Sequence, residues 1–168
     1  MNTVLARIGA VTVVTAVLIG LAGSAYAAEK KRFKWAHTAR QTVSETKTTP
    51  YPDYELTQGV YSDVVKGPAD FDIVEERVFD QSETLSGNGR HRGTAIDTFK
   101  SGDTATQRYD GTHKVVVKAG GAWEVVYEGT FEYISGTGKY KNIKGQGTYR
   151  GRMTPDGIAE EDEAEVTY

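Results

Sequence analysis

The segment WEVVYEGTFEYISGTGKYKNIKGQGTYRGRM spans residues Trp123–Met153 and has the clearest strand pattern in the chain. Its first half alternates between two sets of side chains. One set is Trp123, Val125, Tyr127, Gly129, Phe131 and Tyr133. Because successive side chains of a strand point to opposite faces, this alternation predicts an antiparallel strand with one buried face. A glycine-rich connection and a second alternating run follow, so the segment predicts two neighbouring strands.

Similar alternating runs recur along most of the chain. They cover residues 33–44, 71–80, 91–100, 104–110, 114–118 and 162–168. Short turn signals such as Asn88-Gly89 separate them. About eight strands without an amphipathic helix predict one all-β domain, either an antiparallel sandwich or a closed barrel. We favour a single closed barrel because both terminal strands alternate, and their pairing would remove the exposed edges. A barrel of this size encloses packed side chains or one small ligand.

Residues 45–69 are the least regular part of the predicted domain. They include Pro50, Pro52, Gly59 and Pro68, which are typical of turns and loops. The sequence therefore predicts a long irregular loop here. Two roles for such a loop stay open: a lid or rim that contributes tyrosines to a site, or a cap over one end of the barrel.

The first 27 residues have the pattern of a signal peptide. Arg7 precedes an apolar run of about 16 residues, which is shorter than the ~20 that a membrane-spanning helix needs. Ala25 and Ala27 then provide the small residues of a cleavage site. We expect export and cleavage after Ala27, which leaves residues 28–168 as one domain without a membrane span. The mature protein is then periplasmic or extracellular.

Charge and cysteine content narrow the function classes. The formal net charge is −3, and it becomes −4 once Arg7 leaves with the signal peptide, which argues against nucleic acid as the main partner. The chain has no cysteine, so it has no disulfide, cysteine nucleophile or cysteine-ligated zinc. No cofactor is predicted.

The glycine-rich connection at residues 135–147 predicts how the barrel closes. Gly136 and Gly138 allow backbone angles that other residues avoid. Tyr140 and Ile143 are three positions apart and would share one side of a single helical turn, so we expect Tyr140 to plug a barrel end. A phosphate-binding loop is the rival interpretation. It fits poorly, because the chain has neither a P-loop motif nor a dinucleotide fingerprint.

This connection also resembles a known family. The residues FEYISGTGKY (Phe131–Tyr140), followed by Ile143-Lys144-Gly145, are similar to the G-G-T-G-x-[FY]-x-x-[VAI]-x-G segment of the allene oxide cyclase and dirigent barrels, and to small secreted bacterial relatives of that class. The resemblance covers about residues 125–153. It implies an eight-stranded antiparallel barrel of calycin-like type that holds an apolar substrate above a few polar groups. No catalytic position matches residue by residue, so no catalytic role is carried over.

The three histidines do not form a metal-binding motif. His37, His91 and His113 are widely separated, with no H-x-H or H-E-x-x-H spacing, so the sequence predicts no metal site. His37 shares a strand face with Phe33 and Trp35. We interpret it as a core or rim histidine, with catalysis or ligation as the alternative. His91 and His113 lie beside turns, where we expect them to be solvated.

Residues 71–80 offer the other candidates for chemistry. Glu75 and Arg77 share a face with Phe71 and Phe79, and this face would provide a polar pocket floor if it points inward. If the opposite face points inward instead, the two residues form an exposed ion pair of little energetic value. Periodicity does not choose between the two faces.

The sequence leads to three functional hypotheses. The first is a barrel that binds a small apolar or aromatic molecule, held by Trp35, Trp123, Tyr127, Phe131 and Tyr149. The second is a cyclase-like or isomerase-like enzyme acting on an apolar substrate, with Glu75, Arg77 and His37 as catalytic candidates. The third is a structural or interaction barrel with a packed core. The sequence leaves open the ligand's identity and the oligomeric state.

Overall fold

The computed structural model describes residues 29–168, which form one closed barrel of eight antiparallel strands in sequential order. The strands are β1 (Lys31–Thr48), β2 (Tyr54–Val65), β3 (Ile73–Leu85), β4 (Asn88–Phe99), β5 (Thr104–Val117), β6 (Trp123–Gly136), β7 (Lys144–Thr154) and β8 (Gly157–Thr167). The predicted single antiparallel barrel is therefore confirmed. The predicted signal peptide lies outside the described residues.

The barrel closes where the first strand meets the last. β1 and β8 pair in register from Lys31 with Val166 to Ala39 with Ile158. This pairing joins the two strands that would otherwise be sheet edges, and unpaired edges are prone to pairing with other chains. Within residues 29–168 the only helical elements are two 3-10 turns of three residues, and neither is long or apolar enough to cross a membrane.

The prediction of a long irregular loop at residues 45–69 is wrong. β1 continues to Thr48, and β2 is paired with β1 on one side and β3 on the other. Pro50 and Pro52 fall in the short turn between β1 and β2, so they interrupt neither strand. Gly59 lies within β2, and the ring of Tyr61 fills the space beside it, with ring atoms 2.8 Å from where a Cβ would lie. The irregular part is residues 66–72.

One end of the barrel is filled by aromatic side chains. Phe71, from the segment after β2, is fully buried and stacks on Phe33 with 4.6 Å between the ring centroids. Tyr140 lies in the 3-10 turn Gly138–Tyr140 and stacks on Phe99 at 3.6 Å. Tyr140 is buried, so the structure confirms its predicted role as a plug.

Glycine is required where this plug begins. Gly138 has a φ of +50°, a conformation that side chains disfavour. A side chain at Gly138 would also collide with the carboxylate of Asp103. That carboxylate accepts a hydrogen bond from the backbone N–H of Lys139 at 3.2 Å, which helps to fix the turn against the sheet.

Candidate functional site

The other half of the barrel holds a cavity of about 520 Å³ that opens at the opposite end. Side chains from all eight strands line it, and the connections β1–β2, β3–β4, β5–β6 and β7–β8 surround its opening. The barrel interior is thus packed in one half and hollow in the other. The cavity is the principal candidate site among the described residues.

One side of the cavity is an aromatic wall. We give this name to Tyr109 of β5, Tyr127 and Phe131 of β6, and Tyr149 of β7, all of which line the cavity. Neighbouring glycines make room for these rings: side chains at Gly111 or Gly129 would collide with the Tyr149 hydroxyl. Glycines alternate with aromatic residues in these strands because the rings need the space that glycine leaves.

Hydrogen bonds position the hydroxyl groups of this wall. Tyr149 Oη lies 2.7 Å from Nε2 of His91, a buried residue of β4. Tyr109 donates its hydroxyl proton to Asp80 Oδ1 at 2.7 Å. Burial lowers the pKa of His91 to about 4, so the ring is neutral at neutral pH. The expectation that His91 is solvated is wrong, because its side chain points into the barrel; His113 is half-buried and also lines the cavity.

The other side is an acidic wall. It consists of Asp63 of β2, Glu76 and Asp80 of β3, and Glu160 and Asp162 of β8. No lysine or arginine lines the cavity within residues 29–168. Burial raises the pKa of Asp80 to about 6 even though Tyr109 donates to it. The cavity is therefore aromatic on one side and carboxylate-rich on the other.

His37 lies at the base of the acidic wall and is buried. Its Nδ1 lies 2.9 Å from Asp63 Oδ2, and its Nε2 lies 2.9 Å from Asp162 Oδ2 and 3.5 Å from Glu160 Oε1. Neither ring nitrogen is aligned for a hydrogen bond with these oxygens, so the contacts are close approaches only. Burial alone would lower the pKa of His37, but the neighbouring carboxylates raise it well above its usual range.

Asp97 and Glu76 form a buried pair of acids beside the group around His37. Asp97 of β4 is fully buried and accepts hydrogen bonds from Tyr133 Oη at 2.8 Å and Gln107 Nε2 at 3.3 Å. Burial raises the pKa of Asp97 to about 6. Burial and the nearby Asp97 charge raise the pKa of Glu76 well above its usual value. This polar layer separates the packed half of the barrel from the cavity.

The structure places four of the five predicted ligand-binding residues around the cavity. Tyr127, Phe131 and Tyr149 belong to the aromatic wall. Trp123 lies at the opening and is 39% exposed. Trp35 is buried in the packed half instead, where its ring contacts Phe71 and Phe131. Their role in binding stays a prediction.

Of the three catalytic candidates, only His37 is interior. Glu75 and Arg77 lie on the outer surface of β3, where they form an ion pair with 3.4 Å between Oε1 and Nη2. A β-bulge between Ile73 and Glu75 explains this placement. It shifts the alternation by one position, so that Ile73 and Glu76 both face inward. Neither of the two uninterrupted faces read from the sequence is the inner face.

Sequence reasoning did not find the group around His37. Its partners lie on β2 and β8, which are far from His37 in sequence. One available signal was the C-terminal alternation that places Asp162 on the same face as Ala164 and Val166, both of which are buried. A carboxylate in such a row of small and apolar side chains indicates an interior charge.

The fold and the site define the class as a closed eight-stranded antiparallel barrel with an interior cavity open at one end. Neither a scan against protein-family models nor a search of curated proteins finds a match to this chain.

Proposed function

We propose that the protein binds one small molecule in the open half of the barrel. The observation that carries this proposal is the cavity of about 520 Å³ above a packed base. Ligand pockets typically have ~300–1,000 Å³ and combine apolar surface with a few directed polar groups. The aromatic wall offers ring faces and edges for an apolar or aromatic body.

The lining also selects for charge. The acidic wall carries five carboxyl groups, and no lysine or arginine among residues 29–168 lines the cavity to balance their charge. An anionic ligand would therefore meet like charges in a partly desolvated site, which is unfavourable. A protonated amine would gain from the carboxylates and from the faces of the tyrosines. We infer a neutral or cationic ligand with an aromatic or apolar body.

Isothermal titration calorimetry with three naphthalene derivatives tests this inference. We would compare 1-naphthylmethylamine, 1-naphthylmethanol and 1-naphthoate, which share one ring system and differ in charge. We expect the amine and the alcohol to bind and the carboxylate to bind at least about tenfold more weakly, a difference of about 1.4 kcal/mol. Equal binding of the amine and the carboxylate would contradict the charge preference. Absence of binding by all three would count against the site itself.

A matched pair of variants localises the binding. Val78 lines the cavity, whereas the adjacent Phe79 points outward and is 43% exposed. Val78→Trp should fill part of the cavity and weaken binding, while Phe79→Trp should leave the affinity unchanged. Equal effects of the two substitutions would contradict a ligand inside the barrel.

An enzyme of the isomerase or cyclase kind is the second candidate function. The observation that favours it is Glu76, which lines the cavity and whose pKa is raised by burial and by Asp97. A carboxyl group with a raised pKa keeps its proton to higher pH and can donate it to a neutral substrate. Incubating each bound compound with wild type and Glu76→Gln, followed by product analysis by NMR, tests this candidate. Turnover by wild type alone would support it, and turnover by neither would reject it.

The N-terminal sequence bears on the compartment in which the protein would act. The signal-peptide pattern of residues 1–27 supports export of the mature barrel to the periplasm or the extracellular space. The resemblance of residues 131–145 to allene oxide cyclase and dirigent barrels supports a relationship to that class. Mass determination of the secreted mature protein tests the proposed cleavage after Ala27.

A further inference from the structure

We propose that His37, Glu160 and Asp162 form a binding site for a divalent first-row transition-metal ion at the base of the cavity. This site lies in the same cavity, where Glu160 and Asp162 also belong to the acidic wall. It also replaces the sequence-based expectation that the chain has no metal site.

The three side chains converge on one point. His37 Nε2 lies 2.9 Å from Asp162 Oδ2 and 3.5 Å from Glu160 Oε1, and the three ligand atoms lie within 4.8 Å of one another. Donor atoms bound to one ion at ~2.0–2.2 Å lie about 3–3.5 Å from each other in tetrahedral or octahedral geometry. The two separations from His37 Nε2, 2.9 and 3.5 Å, therefore suit a shared ion.

Asp162 provides the second, independent observation. The residue is only 7% exposed, and its Oδ2 has no hydrogen-bond partner among the described residues. A buried carboxylate oxygen without a partner is costly unless an ion or a donor satisfies it. This oxygen is the one that faces His37 Nε2.

Neighbouring groups hold the ligands in suitable orientations. Asp63 Oδ2 lies 2.9 Å from His37 Nδ1, on the opposite side of the ring from Nε2. The contact is not aligned as a hydrogen bond, but the negative charge of a carboxylate this close to Nδ1 favours the tautomer with its proton there, which leaves Nε2 free to bind metal. Tyr127 donates its hydroxyl proton to Glu160 Oε2 at 2.7 Å, which leaves Oε1 directed at the site. Carboxylate and tyrosine partners of this kind are usual around bound metals.

Charge also favours a cation. His37 faces three carboxylates, those of Asp63, Glu160 and Asp162, and no lysine or arginine lines this part of the barrel interior as described. With all three carboxylates ionised, a protonated imidazole would compensate only one of the negative charges. A divalent ion bound to a neutral His37 compensates two. The metal-bound state is therefore closer to neutrality than the imidazolium state.

The donor set indicates which metals fit. One imidazole nitrogen and two carboxylate oxygens suit Zn²⁺, Mn²⁺, Fe²⁺ and Co²⁺ better than thiophilic ions. Ca²⁺ and Mg²⁺ prefer oxygen ligands alone, which the presence of His37 disfavours. Because Glu160 and Asp162 line the cavity, the ion would be accessible from it.

Titration with Co²⁺ tests the site on the whole protein after chelator treatment. The measurements are visible absorption, which reports the ligand field, and calorimetry, which reports stoichiometry. We expect one equivalent to bind per chain, and we expect Zn²⁺ to displace it. Glu160→Gln and Asp162→Asn should each weaken binding by at least about tenfold. Replacing the orienting residue, in Asp63→Asn, should lower the affinity for Co²⁺ about tenfold to a hundredfold.

Glu161→Gln is the matched control. Glu161 lies between the two ligands on β8, points outward, and pairs with Arg150 at 2.7 Å. The Glu161→Gln variant should bind Co²⁺ with the affinity of the wild type. Absence of stoichiometric binding to wild type would overturn the proposal. The proposal would also be overturned if Glu160→Gln and Asp162→Asn weakened Co²⁺ binding no more than Glu161→Gln does. Circular dichroism checks that each variant is folded.

Discussion

Tyr149 Oη lies 2.7 Å from His91 Nε2, and this contact joins β7 to β4 across the inside of the barrel. The two strands are not neighbours in the sheet, since β5 and β6 lie between them. The hydrogen bond therefore braces the aromatic wall. It also fixes a neutral imidazole at the side of the cavity, because burial lowers the pKa of His91 to about 4.

Removing the Tyr149 hydroxyl should destabilise the protein. Tyr149→Phe leaves Nε2 of the buried His91 without this partner, and such a loss costs about 1–3 kcal/mol. Urea unfolding measures the change in the free energy of unfolding. Tyr51→Phe is the control, because Tyr51 is 71% exposed and should tolerate the same change. Equal effects of the two substitutions would show that the contact contributes nothing.

The plug residue Tyr140 should respond in opposite ways to two substitutions. Its ring is buried against Phe99, whereas its hydroxyl group is buried without a hydrogen-bond partner among the described residues. Tyr140→Phe removes an unsatisfied polar group and should leave stability unchanged or raise it. Tyr140→Ala should cost about 3–5 kcal/mol because it leaves a cavity in the packed end. A large loss of stability in Tyr140→Phe, measured by thermal unfolding, would contradict this account of the plug.

The buried acids should make the protein more stable in mild acid. Folding raises the pKa of Asp80 from 3.8 to about 6, so the folded state keeps a proton that the unfolded chain releases. The contribution of Asp80 to the free energy of unfolding should therefore rise by up to about 3 kcal/mol as the pH falls from about 7 to about 4. His91 acts in the opposite direction, because its lowered pKa disfavours folding below about 6.5.

A comparison of variants isolates the contribution of Asp80. Asp80→Asn keeps an acceptor for Tyr109 but does not titrate, so its stability should rise less on acidification than that of wild type. Asp156→Asn makes the same change in an exposed turn and should follow wild type. Urea unfolding at pH 7 and pH 5 provides the data. Identical pH dependence in wild type and Asp80→Asn would contradict the raised pKa.

Changes at the outer ion pair of β3 should be nearly silent. Glu75 and Arg77 are exposed, and exposed ion pairs contribute about 0–1 kcal/mol. Glu75→Gln should leave ligand affinity unchanged and alter stability by less than about 0.5 kcal/mol. A loss of ligand binding in this variant, measured by calorimetry, would mean that the functional site lies on the outer surface.

The barrel was predictable because alternation persists through most of the chain. The alternation of residues 123–133 predicts β6, and the glycine-rich turn before Tyr140 predicts the plug. The prediction of a loop at residues 45–69 is wrong because Pro50 and Pro52 mark only the short turn before β2, whose own alternation is weak. Pairing with β1 and β3 outweighs this weak local pattern.

The polar interior was less predictable, for two physical reasons. A bulge after Ile73 breaks the two-residue period, and one extra residue brings Glu76 inward in place of Glu75. The contacts of His37 also depend on the register of β1 with β2 and β8, which no local pattern specifies. Two members of the aromatic wall, Tyr127 and Phe131, were predictable because they share one face of β6 with period two.

The central claim, a ligand inside the open half of the barrel, is tested most directly by NMR on the two tryptophan side chains. Trp123 lies at the cavity opening, and Trp35 lies in the packed half. On titration with 1-naphthylmethylamine, the account predicts that the indole N–H signal of Trp123 shifts and saturates while that of Trp35 stays in place. A Trp123 signal that does not move while the compound binds, or equal shifts at both tryptophans, would contradict it.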